Sequence, residues 1–168
     1  YPLGVDLPGE KRGMIPNDKY YDKNYNGSWN GLTIISIAIG QGEVTATPLQ
    51  IANLGATIAN RGYFITPHVV KEIEDEALDS LYTTKRYTKV SEKHYETVVQ
   101  GMRAAVTGGT CRAANLPGLD VCGKTGTAQN KGKDHSAFMG FAPMNNPKIA
   151  VAVYVENASK DNHFAPSG

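Results

Sequence analysis

The sequence predicts an α+β fold, an antiparallel sheet packed with helices, and three observations carry that prediction. Ile149, Val151, Val153 and Val155 alternate with Ala150, Ala152 and Tyr154, the period of a strand. Thr47-Pro48-Leu49-Gln50 reads as a capping box with proline at the first helical position. Tyr95, Val98, Val99, Met102 and Val106 recur at helical spacing, one apolar stripe.

The elements follow in order. Residues 1–31 are rich in Gly, Pro, Asn, Asp and Tyr and read as an ordered but irregular segment. Leu32 to Ile39 is apolar and partly β-branched, a buried strand or a short helix; periodicity does not decide. Gly40-Gln41-Gly42 breaks it. The helix body Leu49 to Asn60 is apolar on nearly every face, which predicts a buried helix, stopped by Asn60-Arg61-Gly62. Phe64 to Ile73 reads as a strand after Pro67, and Glu74 to Asp79 as an acidic turn. Ser91 is the expected cap of the second helix, and Gly108-Gly109 its end. After a loop through Leu116-Pro117-Gly118, strands are expected over Leu119 to Gln129, Ser136 to Ala142 and Ile149 to Glu156. The last two form a hairpin around the turn 143–147.

The chain has 168 residues, 40% of them hydrophobic, enough for one domain or most of one. Lys and Arg total 17 and Asp and Glu 16, so the net charge of +1 provides no field to recruit nucleic acid or an anionic membrane surface. No apolar run approaches the ~20 residues of a membrane span. Tyr1 is not an initiator Met, and both ends have loop chemistry, so both are expected to be cut boundaries of a longer protein. Cys111 and Cys122 are either a disulfide pair or two small buried thiols.

Gly118 to Thr125 matches the phosphate-cradling pattern G-x-x-x-x-G-K-[ST] letter for letter, which makes a nucleotide-binding P-loop protein one reading. Its context argues against it. Residues 112–117 make a poor strand before the first glycine, and Gly126 makes a poor helix opening after the Lys-Thr. Lys124-Thr125-Gly126-Thr127 reads better as a Lys-Thr-Gly motif on an edge strand bordering a cleft. The lysine supplies a cation, the threonine hydroxyls donate to a carboxylate, and the glycine lets a substrate lie along the strand in β fashion. An N–H just after it helps hold an oxyanion.

The motif has company. Asp6-Leu7-Pro8-Gly9-Glu10, Ile39-Gly40-Gln41-Gly42, Thr47-Pro48-Leu49-Gln50-Ile51-Ala52, Ala59-Asn60-Arg61-Gly62, Gly123 to Gln129 and Phe138 to Pro143 with Asn146-Pro147 occur in that order. Together they resemble class B penicillin-binding proteins of the elongation type (penicillin-binding protein 2), over nearly the whole chain. The resemblance implies that residues 1–168 are the C-terminal part of a D,D-transpeptidase domain, a partial β-lactamase-like fold. It implies a serine acyltransferase that crosslinks peptidoglycan stem peptides, is trapped by β-lactam antibiotics, and uses no cofactor and no metal. It implies partners among glycosyltransferase and elongation-complex membrane proteins, and an inner-membrane protein facing the periplasm. Carried onto this sequence, Lys124 belongs to the polar network around the active serine. Thr125 and Thr127 bind the terminal carboxylate of donor or drug, with Gly126 beside them. The Thr127 amide is an oxyanion donor, and Gln129 lines the same strand.

The family also needs a Ser-x-x-Lys nucleophile and a Ser-x-Asn motif, both before the segment where this sequence starts. No Ser-x-x-Lys occurs in the 168 residues. Ser28-Trp29-Asn30 fits Ser-x-Asn by letters, but it follows Asp6 to Glu10, where the family has a variable loop. The expectation is therefore that these residues alone neither acylate with penicillin nor turn over substrate. A non-catalytic relative that binds peptidoglycan is a further reading. Trp29 is read as a packing anchor and His94 as solvated. His135 is either near the cleft mouth or on a surface loop. His68 and His163 show no metal-ligand spacing. Lys131, Lys133 and Asp134 form a polar loop that either gates the site or is an ordinary turn.

Overall fold

In a computed structural model, residues 2–129 and 132–158 are described. Four helices, α1 (Asp18–Tyr25), α2 (Gly31–Ala38), α3 (Pro48–Ala59) and α4 (Lys93–Thr107), precede an antiparallel sheet of β3 (Cys122–Ala128), β4 (His135–Ala142) and β5 (Ile149–Val155). A two-stranded ribbon, β1 (Tyr63–Phe64) with β2 (Arg86–Tyr87), lies between α3 and α4 in the chain. The sheet order β3-β4-β5 leaves β3 at one edge. Registers such as Lys124 opposite Met139 and Met139 opposite Ala152 fix which side chains share a face.

The two predicted helices form for the reasons the sequence supplies. Thr47 Oγ1 accepts from the Gln50 amide at 3.2 Å, and Gln50 Oε1 accepts from the Thr47 amide at 2.9 Å, closing the capping box. The α4 stripe buries Tyr95, Val99, Met102 and Val106. Ala59, Val99, Met102, Cys122 and Phe141 make one core cluster, which clamps α3 and α4 onto the same face of the sheet. Val106, Cys111, Val121 and Ala142, with Phe138 against them, make a second. Gly123 and Gly140 are cross-strand partners under the Phe138 ring, and a Cβ on either would meet that ring within 2.8 Å.

Several expectations are corrected. Residues 1–31 contain α1, which begins where Asn17 Oδ1 accepts from the Tyr20 amide at 3.0 Å. Leu32 to Ile39 resolves as helix α2, because Asn30 caps it through the Leu32 amide at 2.9 Å. The strand expected over Phe64 to Ile73 is only Tyr63–Phe64. Beyond it, Pro67 donates no ladder bond, and the Val69 and Val70 amides turn to the Asp6 carboxylate. The helix expected to be buried on nearly every face buries only Gly55, Thr57 and Ala59, and leaves Leu49 and Leu54 exposed. Ser91 is not a cap: α4 follows Glu92 with no side-chain cap. The strand expected from Leu119 starts at Cys122, since the Val121 amide folds back onto Leu119 O at 2.9 Å. Cys111 and Cys122 are both free and buried, each in a different cluster. The acidic turn is present, tightened by a bridge between Ile73 and Glu76 and by Asp75 at φ 59. Trp29 packs its ring on Tyr21 at 5.6 Å and donates to Asp22 at 2.8 Å. His163 and Lys131 lie outside the described residues. No helix among the described residues is long and apolar enough to cross a membrane.

Candidate active site

Strand β3 is aimed at both ends. Arg103 donates to Val121 O and to Asp120 Oδ1, each at 3.0 Å, which fixes the entry of the strand. Cys122 then drives its side chain under α4, fully buried, and burial pushes its thiol pKa up, so it is a packing group and not a nucleophile. From that anchor the strand period decides the rest. Lys124 and Gly126 are exposed and point to the face of Cys122; Thr125 and Thr127 point to the other.

Gly118 to Thr125 does not cradle phosphate: Lys124 and Thr125 lie inside a paired strand, and no helix opens at them. The P-loop reading is thereby overturned, since that loop needs the amides of a helix start.

The backbone of β3 makes the edge chemical. Lys124 Nζ donates to the Thr125 carbonyl at 2.6 Å, and Gln41 Nε2 donates to the Thr127 carbonyl at 3.0 Å. Both carbonyls thus accept from side chains rather than from β4. On an antiparallel strand a residue's N–H and C=O face the same side, so the Thr127 N–H also faces off the edge. The result is an ammonium, an outward amide and an outward carbonyl within four residues. A Cβ on Gly126 would find nothing nearer than Ala137 at 3.9 Å, so the flank of the strand is open there.

Not every predicted residue presents its side chain. Thr125 is buried, and its hydroxyl pairs with Thr110 Oγ1 at 2.9 Å. Thr127 is half-buried, and Gln129 lies exposed just past the end of β3. His135 stacks on Tyr154 at 5.4 Å, and its Nδ1 accepts from the Asn157 amide at 3.1 Å. Asp134 is buried rather than a solvated turn residue. Ser28-Trp29-Asn30 leads into α2 with Asn30 spent as its cap. Among the described residues no group of three or more His, Cys, Asp or Glu could hold a metal.

Two contributors were not singled out as site residues from the sequence. Thr110, just after the Gly108-Gly109 helix end, backs the motif strand. Gln41, read as part of a Gly-Gln-Gly break and of a segment that carries the resemblance, reaches it across 86 positions. The glycines flanking Gln41, Gly40 at φ 74 and Gly42 at φ 66, are the one signal of a specifically shaped turn.

The chain matches the family described as "Penicillin binding protein transpeptidase domain" over residues 2–167. It is 35% identical over 181 aligned residues to the peptidoglycan D,D-transpeptidase MrdA of Acinetobacter baumannii, covering 92% of this chain and 26% of that protein. It also resembles the structure of Pseudomonas aeruginosa PBP2 in complex with WCK 5153: TM-score 0.77, 36% identity, 94% of this chain and 35% of that one. A third likeness is to PBP2 of Helicobacter pylori in its complex with MreC: TM-score 0.77, 28% identity, 94% of this chain and 29% of that one. The chain thus spans about a quarter of the length of the curated relatives it matches. An outward-facing Lys-Thr-Gly-Thr edge on an antiparallel sheet backed by α3 and α4, matched by one family along nearly the whole sequence, places this chain in the penicillin-binding protein transpeptidase family.

Proposed function

We propose that residues 1–168 are the C-terminal part of a peptidoglycan D,D-transpeptidase domain and supply one wall of its active site. The observation that carries this is the extended Lys124 to Thr127 edge with the Thr127 amide and carbonyl turned off the sheet. The name of the Acinetobacter relative and the family match support the reaction.

In the intact protein a serine oxygen attacks the carbonyl carbon of the penultimate D-Ala. The C–N bond to the last D-Ala breaks, and D-Ala leaves as an amine carrying the serine's proton. An amine of a neighbouring stem peptide then attacks the ester carbonyl. The C–O bond to serine breaks, and a proton of the attacking amine passes to the serine oxygen. On this edge, Lys124 offers positive charge to the proton relay and to the donor's terminal carboxylate. Thr127 offers its N–H to the oxyanion and its hydroxyl to the carboxylate. Thr125 backs the strand through Thr110, its hydroxyl still able to donate when Thr110 is the donor of that pair. Gly126 leaves room for the peptide, and Gln129 extends the same wall. β-Lactams occupy the donor's place.

Partners and location follow the same reading. The complex of the Helicobacter pylori relative with MreC supports elongation-complex partners, to which we add a glycosyltransferase as the source of uncrosslinked strands. A substrate in the cell wall supports a domain on the periplasmic side of the inner membrane.

The test is labelling of the full-length protein with fluorescent penicillin. Lys124→Ala is expected to slow labelling by about 100-fold or more, the scale of losing a charge that stabilises the transition state. The isolated chain, with no Ser-x-x-Lys, should not be labelled. Unchanged labelling of the Lys124→Ala protein refutes the role of this edge. A full-length protein that binds peptidoglycan but is never labelled is the non-catalytic relative.

A further inference from the structure

Gln41 stands at the tip of a turn whose shape is closely fixed. Helix α2 ends with the Gly40 amide on Ile37 O at 3.0 Å and the Gln41 amide on Ser36 O at 3.1 Å, the paired bonds of a Schellman motif. Gly40 and Gly42 both have left-handed backbones, which L side chains adopt at a cost. A Cβ at Gly42 would also press on Ser36 Oγ at 3.2 Å. One residue on, Glu43 accepts from the hydroxyls of Tyr21 and Tyr25. Tyr21 is fully buried, so that carboxylate ties the turn to the packed aromatic cluster of α1. Gln41 is held from behind, and the free end of its side chain reaches the Thr127 carbonyl.

That carbonyl is where an extended ligand would bind. A peptide added to a strand edge pairs its own N–H groups with the outward carbonyls of that strand. The outward carbonyl of Thr127 already has a donor, and that donor belongs to the protein. We propose that Gln41 is a specificity-determining residue: its carboxamide stands in for the backbone N–H of the acyl donor and must be displaced by it. The inference rests on the transpeptidase reading. Donors that bring an N–H to this position replace one hydrogen bond with another. Ligands without one leave Gln41 in place and gain nothing from the carbonyl.

The full-length protein tests this by competition against fluorescent penicillin. Two ligands are compared: benzylpenicillin, which carries an acylamino N–H, and penicillanic acid, which has none. Gln41→Met keeps the length of the side chain and removes its donor. The expected result is a second-order acylation rate raised about threefold to tenfold for benzylpenicillin, the scale of one net hydrogen bond. The rate for penicillanic acid should change less than about twofold, because that ligand never competed for the carbonyl. A merely structural role would move both ligands together, so equal changes overturn the proposal, as do unchanged rates or a slower benzylpenicillin reaction. If the parent protein is not labelled at all, the transpeptidase reading fails. If it is labelled, loses labelling in Lys124→Ala and shows no ligand-dependent change at Gln41, only the present inference fails.

Discussion

Residues 2–47 and residues 48–158 are held by different physics. In the first region only Pro16 and Tyr21 are buried, and Ile15, Leu32 and Ile39 are more than 70% exposed. Its fixed points are polar. Glu10 accepts from the amides of Leu3, Gly4 and Val5; Asp6 accepts from those of Val69 and Val70; Glu43 accepts from Tyr21 and Tyr25. The second region is fixed by the apolar clusters that press α3 and α4 on the sheet. Burial is roughly non-directional and sets where elements lie. Hydrogen bonds from a carboxylate are directional and set how a loop is turned. The Lys124 to Thr127 edge is made where the two meet: β3 is placed by packing, and Gln41 is delivered to it by polar pins.

The largest test of that contrast is Phe141→Ala. Phe141 is 2% exposed and sits opposite Cys122 and Ala150 in the main cluster. Truncation should cost about 3–5 kcal/mol in chemical denaturation. No single change at an exposed apolar residue of α2, such as Leu32→Ala, should approach it. Comparable losses at both positions would mean that the first region also rests on burial.

A fall in pH should separate the regions without a mutation. The Val70 and Val69 amides hold Asp6 below its ordinary pKa of 3.8. The amides of Leu3, Gly4 and Val5 hold Glu10 below 4.5, and the hydroxyls of Tyr25 and Tyr21 do the same for Glu43. A carboxylate with a lowered folded pKa contributes stability that is present above its unfolded value and lost as pH falls through the folded one. Below about pH 4 these pins should therefore release. Hydrogen exchange, corrected for its intrinsic pH dependence, should show protection lost first at Leu3, Gly4, Val5, Val69 and Val70. The amides of α4 around Val99 should keep theirs. Tyr21 makes the alkaline counterpart. Burial, then its bond to Glu43, pushes its pKa up to about 12, so its contribution is present below 10 and lost as pH rises through 12. Simultaneous loss of protection at these amides and in α4 on acidification would erase the distinction.

The same division explains what was legible in the sequence. Burial leaves periodic traces, and those were readable: the α4 stripe, the β5 alternation, and the hairpin of β4 with β5. Lys124 to Thr127 could be placed in a strand because Leu119, Val121 and Cys122 already looked like one, although the strand itself begins only at Cys122; its place at an edge came from the Lys-Thr-Gly motif. Long-range polar pins leave no period. Nothing in the letters connects Asp6 with Val69, so the stretch from Phe64 to Ile73 read as a strand when its amides are drawn to a carboxylate. The link from Gln41 to Thr127 was hidden for the same reason. The α3 faces were misjudged differently. Apolar letters all round predict burial, yet Leu49 and Leu54 remain 40% and 53% exposed.

The smallest expected effect tests the contrast from the opposite side, by asking whether a polar group inside the packed region helps at all. Thr66 is completely buried just after β1, and its Oγ1 has no hydrogen-bond partner among the described residues. A buried hydroxyl without a partner has lost its water and gained nothing in return. Thr66→Val replaces that oxygen with a methyl group of nearly the same volume. It should leave the fold unchanged and raise stability by up to about 1 kcal/mol, seen as a higher denaturant midpoint at constant slope. Thr66→Ser keeps the hydroxyl and opens a methyl-sized gap, so it should move the midpoint down. If Thr66→Val destabilises by more than about 1 kcal/mol, the hydroxyl has a partner in solution. A polar group would then help to hold the packed region from inside.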